Sequence, residues 1–132
     1  MIEMLYVQTS IKIVDNSGGG VALCIRILRS QTKVARAGDV IVLSVKTIIH
    51  NRKLKIPRKK KVLKGHVYRA IVIRTSVPTR RFGNVYLRAE GNAVAMLGKW
   101  DMPLANRATG PAMLELKKTK FAKFTNITEG II

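Results

Sequence analysis

The sequence contains little of several residue types, and each shortage excludes a class of protein. Its single cysteine, Cys24, excludes an internal disulfide framework and a cysteine-ligated zinc cluster. Its two histidines, His50 and His66, lack partners at the spacing of metal ligands. No apolar run approaches the ~18 residues that a membrane-spanning helix needs. The first residues have the pattern of neither a secretory signal nor a transit peptide, so we expect no cleaved leader.

Acidic residues are also scarce. Seven Asp and Glu oppose 25 Lys and Arg, which gives a formal net charge of +18 at pH 7. This excess is far larger than solubility requires, and it predicts a polyanionic partner, most commonly nucleic acid. The acids form no close pair in the sequence, whereas a metal-dependent nuclease needs clustered carboxylates. We therefore predict a non-enzymatic protein with no catalytic residue, no metal and no cofactor.

The positive charge is concentrated in the middle of the chain. No acid lies between Asp39 and Glu90, and residues 50–65, named here the basic ribbon, hold the densest group of cations. Because unpaired charges cannot be buried in a packed core, this segment is predicted to protrude as a β-ribbon or loop and to neutralise phosphates. A solvated loop and a nuclear-localisation patch are the alternatives. The cations of the basic ribbon are Arg52, Lys53, Lys55, Arg58, Lys59, Lys60, Lys61 and Lys64.

The remaining sequence has the pattern of short strands separated by turns. Alternating or β-branched segments are punctuated by residues that favour turns, such as those at 15–20. Many short strands predict a mainly β fold, either a closed barrel or a sandwich, and closure removes exposed strand edges. Towards the end, Thr109-Gly110-Pro111 and the apolar residues after it predict one or two short helices. The predicted strands are residues 11–13, 21–28, 40–49, 66–75, 85–88 and 93–97.

Aromatic residues make up only 5% of the chain and form no ladder interleaved with charge. Reading of a single strand by base stacking is therefore less favoured than contact with structured RNA through phosphates and groove shape. Phe82 beside Arg80 and Arg81 is the one candidate stacking site, and anchoring of Phe82 in the core or in a loop is the alternative.

Read in order, these segments resemble the ribosomal large-subunit protein fourteen family of the bacterial and organellar type, over essentially the whole chain. The resemblance implies a single domain, 1–132. It would contain a five-stranded β-barrel at about 1–104, a projecting β-ribbon at about 50–65 and a helical C-terminal region at about 105–132. The segments that carry the resemblance are 14–18, 24–28, 38–42, 45–46, 69–75, 91–94, 110–111, 115–116 and 120–124.

The resemblance also implies a function. Members of the family are structural constituents of the large ribosomal subunit, bind its ribosomal RNA and touch small-subunit RNA in an intersubunit bridge. They neighbour large-subunit proteins three and nineteen, and the ribosome silencing factor docks on their C-terminal region. By position, the ribosomal RNA would be contacted by the basic ribbon together with Arg74, Arg80 and Arg81. The face towards the other subunit and protein partners would hold Asn106, Arg107, Lys117, Lys118, Lys120 and Lys123.

The sequence departs from the family in several places. Thr109 replaces the aromatic residue that the family usually has before Gly110-Pro111, which leaves silencing-factor docking open. The basic ribbon is longer and more basic than usual, and residues 125–132 lack the usual proline. Such departures favour a ribosome of the mitochondrial matrix, with a plastid and the bacterial cytoplasm as alternatives.

Three other classes of protein fit the sequence less well. A free-standing nucleic-acid module would need exposed stacking aromatics, which the sequence mostly lacks. A nuclease would need the carboxylate cluster that is missing from the sequence. A membrane-surface peptide would carry its cations on an amphipathic helix, whereas these cations lie in a segment punctuated by Pro57 and Gly65.

Overall fold

The computed structural model describes residues 5–28, 34–49 and 62–132, and within them five strands close into a barrel. Neighbouring strands of the barrel are antiparallel, except that the last strand returns parallel to the first and closes the ring. The first four strands of the chain are neighbours in order, and the seventh closes the ring between the fourth and the first. The prediction of a mainly β, five-stranded barrel is therefore confirmed. The strands are β1 Ser10–Ile13, β2 Val21–Ile27, β3 Val40–Val45, β4 Val67–Arg74, β5 Thr79–Arg81, β6 Val85–Leu87 and β7 Ala93–Met96.

Every second side chain of strand β1 points into the barrel and helps to fill its core. In β1, Ile11 and Ile13 are buried while Ser10 and Lys12 face solvent, as the two-residue period of a strand requires. Cys24 of β2 is fully buried in the same core, and burial raises the pKa of its thiol. The interpretation of Cys24 as a small core residue is therefore confirmed.

Two barrel strands are buried on both faces. All four residues of β7 are buried, as are residues 70–73 of β4. Their outer faces pack under the C-terminal region, where Leu116, Phe121 and Phe124 are buried against Ile71 and Ile73. The aromatic rings of Phe121 and Phe124 meet edge to face, 6.1 Å apart. This second apolar cluster fixes the C-terminal region on the barrel.

The predicted strand at 85–88 does not join the barrel. It corresponds to β6, which pairs with β5 in a separate two-stranded hairpin at residues 79–87. Gly83 and Asn84 at its tip have φ of +78° and +61°, the left-handed backbone that tight hairpin turns require. The sequence predicts a loop at β5, because its three residues, Thr-Arg-Arg, carry no apolar alternation. Pairing across the turn makes them a strand.

The C-terminal region contains helix α1, Leu114–Lys117, and a six-residue 3₁₀ helix, Ala122–Ile127. The expected helix start at Thr109 is wrong, since α1 begins at Leu114, and no side chain in the described ranges caps its first turn. The backbone instead bends at Thr109 and Gly110 and is not helical before Leu114. The amide of Thr109 donates to the carbonyl of Val14 at 2.9 Å, and that of Met113 donates to the carbonyl of Ile73 at 2.9 Å. These bonds hold the segment out of a helix.

Most of the basic ribbon, residues 50–61, lies outside the described residues, and with it Arg52, Lys53, Lys55, Arg58, Lys59, Lys60 and Lys61. The end of the ribbon is described: Val62 is fully buried in the barrel core, and Lys64 is exposed in a turn. Among the described helices, none is long and apolar enough to cross a membrane.

Candidate nucleic-acid interface

Arg80 and Arg81, adjacent in β5, point to opposite sides of the hairpin. The Nε of Arg81 lies 2.7 Å from Oε1 of Glu115, and its Nη2 donates to the carbonyl oxygen of Ile132 at 3.0 Å. Arg81 therefore ties the hairpin to α1 and to the last residue of the chain. Arg80 is exposed and donates to the amide oxygen of Asn84 at 3.2 Å, near the hairpin tip.

The exposed side of the hairpin combines charge with aromatic surface. Arg80 lies directly opposite Tyr86 in the strand pairing, so both side chains share one face. Tyr86 is 62% exposed, and Phe82 at the tip is fully exposed. Anchoring of Phe82 in the core, one of the two alternatives for this residue, is therefore excluded. We name the surface formed by Arg80, Phe82 and Tyr86 the hairpin face.

Arg74, at the end of β4, holds the C-terminal segment against the barrel. Its Nη1 donates to the carbonyl oxygens of Thr109 at 2.8 Å and Pro111 at 3.2 Å. Burial lowers the pKa of Arg74, and the charge of Glu129 acts in the opposite direction. The guanidinium stays charged at any physiological pH. Gly110, between the two carbonyl groups, has φ of +81°, and a Cβ there would lie 2.7 Å from Nη1.

A cleft of about 460 Å³ opens beside Arg74. Its charged lining residues are three cations, Lys12, Arg74 and Arg88, against one acid, Glu90. Residues 88–92, which follow the hairpin, form much of its wall, and Ala89 is fixed by a 2.9 Å bond from its amide to the carbonyl of Thr75. The cleft therefore joins the hairpin to the barrel through a mainly positive surface, and sequence reasoning assigned no role to Lys12 or Arg88.

The residues expected on the partner face lie in three places. Asn106 accepts a 2.8 Å bond from the side chain of Asn16, and the carbonyl of Arg107 accepts one from the amide of Asn16 at 3.0 Å. Lys117 and Lys118 are exposed at the end of α1. Lys120 and Lys123 approach a turn that follows β7: Lys120 lies 3.6 Å from Asp101, and Lys123 lies 2.9 Å from the sulfur of Met102.

Sequence reasoning named Phe82 as a candidate stacking residue and missed the exposure of Tyr86 and Trp100. Phe82, Tyr86 and Trp100 are 101%, 62% and 91% exposed, so the expectation that stacking aromatics would be scarce at the surface is wrong for these three. For Phe82 a signal was present, since it follows Arg80 and Arg81 and precedes the turn residues Gly83 and Asn84. Tyr86 lies between the apolar Val85 and Leu87, where the sequence offers no such signal.

The buried acid Asp15 has a structural role. Asp15 is buried, and its Oδ2 accepts a 2.8 Å bond from the amide of Met96, while its Oδ1 accepts bonds from the amide and hydroxyl of Ser17. Burial raises the pKa of Asp15, and these bonds lower it in part. Asp15 thus links the first turn to β7. In the part of the chain that the structure describes, no three His, Cys, Asp or Glu side chains are grouped so that they could hold a metal.

The fold and these surfaces define a class, a small basic β-barrel protein that carries an exposed basic and aromatic hairpin. Comparison with known families is more specific: the model of the family described as ribosomal protein L14p/L23e matches residues 4–132. The chain belongs to this family, which is structural and non-enzymatic.

Two relatives are named large ribosomal subunit protein uL14m. That of Acanthamoeba castellanii is 38% identical over 128 residues, which cover 96% of this chain and 98% of the relative. That of Acanthamoeba polyphaga is 40% identical over 115 residues, which cover 86% of this chain and 97% of the relative. The chain is thus a structural protein of the large ribosomal subunit, and the resemblance seen in the sequence is confirmed.

Proposed function

We propose that this protein binds large-subunit ribosomal RNA through the basic ribbon, the hairpin face and the adjoining cleft. The observation that carries the proposal is the hairpin face, where an exposed arginine and two exposed aromatic rings project from a protein of net charge +18. Phosphates are the natural counterions of such a surface, and exposed rings stack on bases that helices leave unpaired. Arg80 contacts RNA directly, Arg74 adds its charge to the cleft, and Arg81 positions the hairpin.

A second role is proposed for the C-terminal surface: contact with the small subunit and with neighbouring proteins. The exposed cations Lys117, Lys118 and Lys120 lie on or just after α1, and phosphates of small-subunit RNA would complete an intersubunit bridge there. Large-subunit proteins of the three and nineteen families are the proposed neighbours. Docking of the ribosome silencing factor is proposed to depend on Asn106 and Arg107, because they stand where the family binds it.

The proposed location is the mitochondrial ribosome. Both relatives carry the name uL14m, and together with the departures from the bacterial pattern this favours a mitochondrial over a plastid or bacterial ribosome. Sedimentation of the tagged protein with mitochondrial large subunits in a gradient of cell extract is the expected result. Sedimentation with plastid or cytoplasmic particles would contradict it.

RNA binding is tested by its dependence on salt. The affinity of the full-length protein for a folded fragment of large-subunit ribosomal RNA is measured by filter binding at several salt concentrations. Replacing Lys59, Lys60 and Lys61 together by alanine is expected to flatten the log–log slope by up to ~0.9 for each phosphate that the variant no longer neutralises. The control, Lys117 and Lys118 to alanine, removes charge from the surface proposed to face the other subunit. An equal flattening of the slope in both variants would contradict the assignment of the ribbon.

A further inference from the structure

Trp100 is the one tryptophan of the chain, and it is almost fully exposed to solvent. It lies in a short 3₁₀ turn, Lys99–Asp101, that follows β7. Its side chain is 91% exposed, so both faces of the indole ring are open to solvent. Trp100 and Asp101 have φ of +61° and +55°, a left-handed backbone that residues with side chains rarely adopt. An exposed ring on so unfavourable a backbone has no role in the core and points to a role in binding.

The turn that carries Trp100 is held from two sides. The amide of Gly98 donates to the carbonyl of Met102 at 2.7 Å and closes the turn. The carboxylate of Asp101 lies 3.5 Å from Nη2 of Arg69 on β4 and 3.6 Å from Nζ of Lys120 in the C-terminal region. The barrel and the C-terminal region therefore both contact the turn that carries the indole and restrict its position.

The surroundings of Trp100 are mainly positive. Arg69, Lys99 and Lys120 are exposed, and Lys123 contacts Met102, the second residue after the indole. Asp101 is the acid that holds two of these cations in place. We name the indole and the four cations, Arg69, Lys99, Trp100, Lys120 and Lys123, the Trp100 platform.

We propose that the Trp100 platform binds one unpaired RNA base, which stacks on the indole while the cations hold the phosphates on either side of it. A nucleotide offers both a flat aromatic ring and negative charge, and these are the two properties that the platform complements. An acidic peptide would satisfy the charge but has no flat ring to cover the indole. The inference rests on the proposed RNA binding and adds a second site, at the other end of β7 from the hairpin face.

The fluorescence of Trp100 reports on this site directly, because the chain has a single tryptophan. The full-length protein is titrated at low ionic strength with a short oligoadenylate and with an abasic oligomer of the same length, which keeps the phosphates and lacks the bases. Saturable quenching by the oligoadenylate, with little quenching by the abasic oligomer, is the expected result. Quenching of equal extent by both would overturn base stacking. Quenching by polyglutamate with none by oligoadenylate would overturn the choice of RNA as the occupant.

Two substitutions separate stacking from charge. Trp100→Ala is expected to weaken oligoadenylate binding about fivefold or more, the effect of removing one stacked base. Trp100→Phe keeps a ring and is expected to retain most of the affinity, and the abasic oligomer is expected to bind all three proteins alike. Unchanged oligoadenylate affinity in Trp100→Ala would overturn the platform. If the ribosomal RNA fragment still binds with steep salt dependence, the platform alone fails; if no RNA binds, the proposed function fails as well.

Discussion

Arg81 and Glu115 form an ion pair that joins the hairpin to helix α1. The Nε and Nη2 atoms of Arg81 lie 2.7 and 2.9 Å from the two carboxylate oxygens of Glu115. Only 22% and 28% of the two side chains are exposed. The contact from Nη2 to Oε2 is a hydrogen bond, and the charges on its donor and acceptor make it stronger than a neutral one. The pair therefore sets the position of the hairpin face relative to the barrel.

A double-mutant cycle measures this pair. Arg81→Ala and Glu115→Ala are each expected to lower the free energy of unfolding, with a coupling energy of about 1 kcal/mol, since partial exposure screens the attraction. Urea denaturation of the two single variants and the double variant gives the coupling. Glu90→Ala combined with Arg81→Ala is the control, and its effects are expected to add. Additive effects for Arg81 and Glu115 themselves would show that the ion pair does not stabilise the fold.

Arg74 offers a second prediction, because its guanidinium binds two carbonyl oxygens of the C-terminal segment. Arg74→Met is expected to lower the free energy of unfolding by about 1–2 kcal/mol, since the part-buried carbonyl of Pro111 then lacks its charged donor while the exposed carbonyl of Thr109 can bind water. Arg80→Met is the matched control: Arg80 is exposed, and the expected change is within ~0.5 kcal/mol. Urea denaturation measures both. Similar stability in the two variants would mean that the bonds of Arg74 contribute little.

The strands of the barrel could be predicted because their signals are local. Alternation in β1 and the β-branched residues of β3 and β4 identify strands from neighbouring residues alone. β5 lacks such a signal, and only pairing with β6 makes it a strand. The predicted helix start at Thr109 is wrong for a related reason: the residues suit a cap, but hydrogen bonds to residues far away in sequence hold the backbone out of a helix.

The candidate site was less predictable than the fold. Composition indicates an excess of cations but not which of them are free to meet RNA. Arg80 and Arg81 are adjacent in sequence, yet one is exposed and the other binds Glu115, 34 positions along the chain. The same holds for Trp100, whose turn meets the C-terminal region through the contact of Asp101 with Lys120. Contacts of this kind depend on the tertiary fold.

The buried carboxyl of Asp15 predicts a dependence of stability on pH. Its pKa in the folded protein is raised by burial, so the folded state takes up a proton more readily than the unfolded state. The contribution of Asp15 to stability is therefore greatest at low pH and declines as pH rises through about 3.9 towards the folded-state pKa.

The comparison that isolates this effect is Asp15→Asn, which removes the titration. The variant is expected to lose about 1–3 kcal/mol of unfolding free energy, because one amide oxygen cannot replace two carboxylate oxygens that accept bonds from Ser17 and Met96. Urea denaturation over a range of pH gives the difference between wild type and variant. That difference is expected to shrink with rising pH, and a difference that grows would contradict the raised pKa.

Substitution of Phe82, at the hairpin tip, tests RNA binding without disturbing the fold. Because its ring is fully exposed, Phe82→Ala is expected to change the free energy of unfolding by less than ~0.5 kcal/mol. If the ring stacks on a base, the same change lowers the affinity for the ribosomal RNA fragment by about 1–3 kcal/mol in filter binding. Phe124→Ala is the opposite control: this ring is fully buried, and its removal is expected to cost about 3–5 kcal/mol of stability. Unchanged RNA affinity in Phe82→Ala would remove the tip from the interface and leave Arg80 and Tyr86 as the groups of the hairpin face that meet RNA.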